Sequence, residues 1–202
     1  MHACTKTIPI NQNQNQNQML HQIVAASENM NTKDPVPWDD YFMSIAFLAS
    51  MRSPCTRLRV GSVVVKDHRI IAMGYNGFIA GAPHVSRLRD NHEQAIIHSE
   101  INAVSDCARR GASLQDAAIY VTHYPCINCF RSLAACGIKR IHYYHDYNND
   151  PLIPTMADDA GIVIHPHCQT TVCHKGDYTT VATLSSFVPQ STGSMAELNS
   201  MK

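Results

Sequence analysis

"GSVVVKDHRIIAMGYNG", residues 61–77, contains two short runs rich in Val and Ile, separated by Asp67 and His68. β-Branched runs joined by a two-residue link predict a β-hairpin. Upstream, "WDDYFMSIAFLASMR" (38–52) sets Tyr41, Phe42, Ile45, Leu48 and Ala49 at helical spacing. Downstream, "FIAGAPHVSRLRDNHEQ" (78–94) lacks a period and is long enough for a functional loop. "HSEINAVSDCARRG" (98–111) then predicts a helix with Ile101, Val104 and Cys107 on one face, capped by Gly111. "AAIYVTH" reads as a buried strand, "CINCFRSLAACG" as a helix closing on Gly137, and "IKRIHYY" as a strand. A helix around "PLIPTMADDAG" and the strand "IVIH" follow. A hairpin followed by helix–strand units predicts an α/β fold, a mixed sheet with helices on both faces. Ligands in such folds collect where strands end and helices begin.

The 202 residues suit one ordinary domain. Basic and acidic side chains balance, for a formal net charge of 0. A nucleic-acid binder needs a basic excess to displace counterions, so a polymeric partner is not expected, while a small anion needs only one or two cations. The start "MHACTKTIPI" lacks a basic head followed by an apolar run, and no stretch is long and apolar enough for a membrane span. The expected location is therefore a reducing cytoplasm, where closely spaced cysteines more often bind metal or do redox chemistry than cross-link. The repeat "NQNQNQNQ" (11–18) offers nothing to bury, so residues 1–35 are expected to be a disordered polar tail. Residues 168–202 are expected to be a largely disordered extension, leaving 36–167 as the domain. The spacing in "HPHCQTTVCH" (165–174) fits no standard metal site.

Pro125 precedes Cys126 and Cys129, two cysteines three positions apart at a predicted helix start. That spacing puts both sulfurs on one face, proline suits a helix entrance, and the positive end of the helix favours thiolates. A lone CxxC would also suit a redox pair, but the tryptophan-rich setting of such pairs is missing. There is no second CxxC; 28 residues before Cys126 stands His98-Ser99-Glu100. H-x-E followed by P-C-x-x-C is a signature of zinc nucleobase deaminases. One histidine and two thiolates leave the fourth position of zinc open for water, and Glu100 is the candidate proton carrier. In an ideal helix His98 and Glu100 stand about 200° apart, so they can share a site only at the very first turn.

"WDDYFM", "RSPCTRLRVGSVVVKDHRIIAMGYNG", "IIHSEINAV", "IYVTHYPCINC" and "GIKRIHYYHDYNNDP" together resemble the deoxycytidylate (dCMP) deaminase family, in the type found in late-competence operons. The resemblance covers roughly residues 36–167. It implies a cytidine-deaminase-like three-layer α/β/α sandwich with about five strands in a central mixed sheet. It also implies zinc-dependent hydrolysis of dCMP to dUMP and ammonia, supplying dUMP for thymidylate synthesis. A homo-oligomer, often a hexamer, with dCTP and dTTP as effectors is implied as well. By position, His98, Cys126 and Cys129 match the zinc ligands and Glu100 the proton shuttle. Asn76 matches a sugar contact, the backbone at Ser99 and Tyr124 contacts to the base, and Arg59 and Tyr147 the surroundings of the phosphate. Arg109 matches an arginine tied to subunit contacts and regulation. A second, structural zinc of such relatives would fall on Cys55, His84 and His92, but Val85 and Glu93 stand where cysteines are common, so only a remnant is expected. Two other readings stay open: a deaminase of another free nucleotide or nucleoside, and an inactive nucleotide sensor.

Overall fold

The computed structural model describes residues 10–29, 34–90 and 92–167. Residues 10–29 belong to one compact unit and 36–167 to another. In the first unit, α1 spans Ile10–Asn29, where the sequence reading expects no regular structure. The run from Ile10 to Asn29 has neither Gly nor Pro and includes helix-forming Gln, Ala, Met and Leu, so a helix can form without a buried face. Its Met19, Leu20 and Val24 are exposed. Residues 168–202, with Cys168, Cys173 and His174, lie outside the described residues.

The second unit opens with α2 (Trp38–Ser50), followed by β1 (Gly61–Lys66) and β2 (Arg69–Tyr75). The hairpin forms as expected, with Lys66 opposite Arg69. Asp67 and His68 both take positive φ, 50° and 58°, which the right-handed twist of a two-residue link demands. The His68 ring packs on Trp38, 4.9 Å between centroids, which helps offset two non-glycine residues in that region.

The loop contains short ladders that its sequence did not announce. β3 (Gly77–Phe78) pairs with β6 (Ile96–Ile97), and β4 (Leu88–Arg89) with β5 (His92–Glu93). Then come α3 (Ser99–Arg110), β7 (Ala118–His123), α4 (Ile127–Ala135), β8 (Arg140–His145), α5 (Leu152–Ala160) and β9 (Val163–Pro166). The central mixed sheet has five strands in the order β2-β1-β7-β8-β9. β1 is antiparallel to both neighbours, while β7, β8 and β9 are parallel.

β1 and β7 are buried on both faces, as their continuous apolar runs demand. Val63, Val65, Ala118 and Tyr120 pack with Phe42, Met43 and Ala46 of α2. Val64, Ile119 and Val121 pack on the opposite side with residues of α3, α4 and α5. The α/β/α layering matches the expectation.

The face of α2 does not. Phe42, Met43, Ala46 and Ser50 are buried, whereas Tyr41 and Leu48 are 45% and 39% exposed. Both sides of this helix are apolar, and the sheet takes the side with small residues, because Ala46 and Ser50 allow close approach to Gly61. A Cβ at Gly61 would collide with the Ala46 carbonyl oxygen and the Ser50 nitrogen.

Candidate functional site

β7 and β8 end where β1 begins and β2 ends, so four chain crossings meet at one end of the sheet. The turns there carry residues 58–60, Asn76, residues 124–126 and residues 146–147. α3 and α4 both begin at this end. Helix starts carry unpaired N–H groups and partial positive charge, which suits thiolates and carboxylates.

His98 is the N-cap of α3, with extended φ −65° and ψ 153°. Cys126 is the N-cap of α4, with φ −70° and ψ 162°. An N-cap residue stands outside the helical phase, so the 200° objection to His98 and Glu100 sharing a site does not apply. The beginning of α3 can lie this low on β2 because Gly74 has no side chain. A Cβ at Gly74 would collide with the Ser99 carbonyl oxygen and crowd the Ala103 nitrogen.

One ligand atom from each of His98, Cys126 and Cys129 lies within 4.8 Å of the others. Nδ1 of His98 stands 3.6 Å from Sγ of Cys126 and 3.4 Å from Sγ of Cys129. Tetrahedral zinc, with bonds of about 2.3 Å to sulfur and about 2.1 Å to nitrogen, needs ligand separations of about 3.6–3.8 Å. The donor set and spacing therefore fit zinc. His98 is exposed, Cys126 half-buried and Cys129 buried, so the group opens toward solvent on its histidine side. A cavity of about 330 Å3 lies there, lined by Ile97, Ile101 and Asn128 besides the three ligands.

Protons are unevenly shared in this cluster. Cys126 is pulled down to about 3, first by the hydrogen bond from Cys129 and then, against burial, by His98. Cys129 is pushed up by donating to Cys126 and by burial, and His98 is raised by its hydrogen bond with Cys126. Glu100 is only 4% exposed, and burial raises its pKa above the ordinary carboxylate range. Its Oε2 accepts from Ser99 Oγ at 2.9 Å.

The remaining expected residues spread more widely. Asn76 is buried, and its amide is engaged: Oδ1 accepts from Val60 N at 2.8 Å, and Nδ2 donates to the Leu58 carbonyl at 2.8 Å. Ser99 is fully buried and Tyr124 nearly so, with Tyr124 N donating to the His145 carbonyl. Tyr147 packs edge-on against His123, 5.9 Å between centroids, at the same end of the sheet. Arg59 is exposed, and so is Arg57, whose positive charge is felt at His98 and opposes its protonation. The sequence reading missed Arg57 and Asn128; the first stands in a bend two residues before Arg59, and the second inside the CxxC itself. Arg109 sits in the last turn of α3 with its side chain 80% exposed, roughly 16 Å along the helix axis from the ligand end.

The second metal group is not assembled among the described residues. Among the described residues, His98, Cys126 and Cys129 are the one set of three with metal-holding geometry. His84 stacks on Phe78 at 4.9 Å, the Cys55 N–H donates to Ser53 Oγ, and the His92 side chain lies outside the described residues. The loop is fastened by Glu93, whose carboxylate accepts from Ser86 Oγ, Arg87 N and Ala95 N. Those hydrogen bonds hold Glu93 down at about 2.

The model of the cytidine and deoxycytidylate deaminase zinc-binding region matches residues 36–145. ComE operon protein 2 of Bacillus subtilis (strain 168) is 41% identical over 133 residues, covering 64% of this chain and 70% of that protein. A deoxycytidylate deaminase of Mycobacterium phage D29 is 40% identical over 121 residues, 52% of this chain and 93% of that one. Among solved structures, a dCMP deaminase from the cyanophage S-TIM5, in complex with dCMP and dUMP, superposes with a TM-score of 0.59 at 27% identity. It covers 66% of this chain and 98% of its own.

Proposed function

The chain belongs to the cytidine and deoxycytidylate deaminase zinc-binding family, and from that membership we propose that it hydrolyses dCMP to dUMP and ammonia. The observation that carries this reading is a buried carboxyl, Glu100, set beside three residues that could hold a metal ion. A purely structural metal site has no need of such a group. His98, Cys126 and Cys129 would hold zinc, which would supply the Lewis acidity that makes water nucleophilic near neutral pH. Glu100 would take one proton from water on a carboxylate oxygen and deliver it to the ring nitrogen, then take the second proton from the added hydroxyl and pass it to the amine, which leaves as ammonia as the carbonyl forms. Its raised pKa brings it closer to neutrality than an exposed glutamate, as a group that both takes and gives protons requires.

Asn76 keeps one Nδ2 hydrogen and one Oδ1 lone pair beyond its two backbone bonds, enough to meet a sugar hydroxyl. Arg57, Arg59 and Tyr147 supply cation and hydroxyl chemistry for a single phosphate. The backbone at Ser99 and Tyr124 faces the base. The balance of charge supports a free nucleotide over a nucleic acid. The test is ammonia release from dCMP, CMP and deoxycytidine by the zinc-loaded protein. dCMP should be preferred, and turnover of none of the three would retire the reading.

The same proposal includes a homo-oligomer, of hexameric size, responding to dCTP and dTTP in a reducing cytoplasm. Trp38, Tyr41 and Leu48 of α2 and Met73 of β2 are exposed apolar side chains that suit a second copy of the chain. Arg109, remote from the ligand end and paired with Asp106 on the helix surface, suits a contact between copies or an effector better than the substrate. No described helix is long and apolar enough to cross a membrane.

A further inference from the structure

Substrate turnover requires the two sides of the site to hold one register. His98 and Glu100 arrive on α3, whereas Asn76 and the segment 57–60 arrive on the β1–β2 side. β2 is an edge strand. Among the described residues two polar side-chain links tie α3 to it: Arg110 to the Ile71 carbonyl at the far end, and Asn102 to the Tyr75 carbonyl at the site end.

Asn102 is placed to transmit position. Its backbone N–H donates to the His98 carbonyl at 2.9 Å, which locks it to the ligand histidine. Its Nδ2 donates to the Tyr75 carbonyl at 2.7 Å. Tyr75 leads directly into Asn76, whose amide clasps Leu58 O and Val60 N and whose carbonyl accepts from Ser53 Oγ at 2.7 Å. Hydrogen bonds on either side of the Tyr75–Asn76 peptide bond therefore connect the start of α3 to the segment that carries Arg57 and Arg59.

We propose that Asn102 is a positioning residue: acting through Tyr75 and Asn76, it sets the register between the metal-ligating start of α3 and the segment facing the sugar and phosphate. This rests on the deaminase reading above. Asn102 is not among the residues lining the cavity, and its side chain bonds the Tyr75 carbonyl, so a change confined to that side chain acts through Tyr75 on Asn76. Misplacement of a reacting group by about 1 Å is enough to cost a large factor in rate.

The test is a double-mutant cycle on the full-length, zinc-loaded protein with dCMP. Asn102→Ala should lower kcat/KM about tenfold, the scale of one lost hydrogen bond, with zinc per chain unchanged. Asn76→Ala combined with Asn102→Ala should be no worse than the poorer single variant to within about twofold, because both break the same connection. Asn102→Asp keeps the shape, removes the donor and suits a first helical turn, so it should fold and lose as much as the alanine variant. Kinetics of Asn102→Asp equal to wild type, losses that multiply in the double variant, or zinc lost in step with activity would each overturn the proposal. A wild-type protein silent on dCMP would remove the deaminase reading and this inference together. An active wild type with an unaffected Asn102→Ala would remove the inference alone.

Discussion

Two groups of cysteine and histidine stand in this chain, and the fold treats them differently. His98, Cys126 and Cys129 sit at the starts of α3 and α4, on either side of the fully paired strand β7. Cys55 and His84 sit on irregular chain, one bonded locally to Ser53 and the other stacked on Phe78. The first group converges because the sheet fixes both helix starts. The second has no such frame, and a carboxylate, Glu93, does the fastening there. Ligand-type residues become a site when rigid elements aim them at one point.

The largest expected effect breaks the first group. Cys129→Ala should reduce bound zinc from about one per chain to near none and lower dCMP turnover by about a thousandfold or more. Cys55→Ala and His84→Ala should leave zinc per chain unchanged by elemental analysis. A loss of zinc there would erase the contrast.

Next, Glu100→Gln should keep the zinc and lower turnover by roughly 10²–10⁴. The same change should stabilise the metal-free protein at neutral pH. Burial raises the carboxyl's pKa, so the folded chain holds the proton more tightly than the unfolded chain, and stability falls as pH rises through that range. The gain in melting temperature should therefore shrink toward acid pH, which thermal melts across pH would show.

A smaller effect separates the sheet from the site. Burial holds His142 down at about 4, against 6.5 when unperturbed, where it stacks between Tyr120 and His165. Between those values the unfolded chain binds the proton and the folded chain does not, so stability falls as pH drops from about 6.5 to 4. His142→Phe should remove roughly 1–2 kcal/mol of that acid sensitivity, allowing for partial solvation. Denaturant titrations at both ends of the window measure it. The smallest effect concerns the loop: Glu93→Gln should speed amide exchange over residues 86–95 and leave zinc and the denaturation midpoint unchanged.

Much of this was legible because the chemistry is local. Val63, Val64 and Val65 announce a doubly buried strand, and Gly111 ends α3 at φ 68° as a helix cap should. The three residues that could hold a metal ion were readable from spacing, because each stands within the first turn of its helix or at its cap. Packing direction was less readable. α2 is apolar on two sides, and only the close approach at Gly61 decides which is buried. On α3 the buried face is Ser99, Glu100, Ala103 and Cys107, small or polar residues that hydrophobic periodicity passes over, while Ile101 and Val104 are half-buried. Arg57 and Asn102 were missed because their positions depend on contacts with segments distant in sequence.

The most direct test measures zinc content and ammonia release from dCMP in the same preparation, before and after chelation. About one zinc per chain, with deamination that disappears on chelation and returns with added zinc, is the predicted result. Deamination that persists after the metal has gone, or zinc bound without turnover of dCMP, would contradict it.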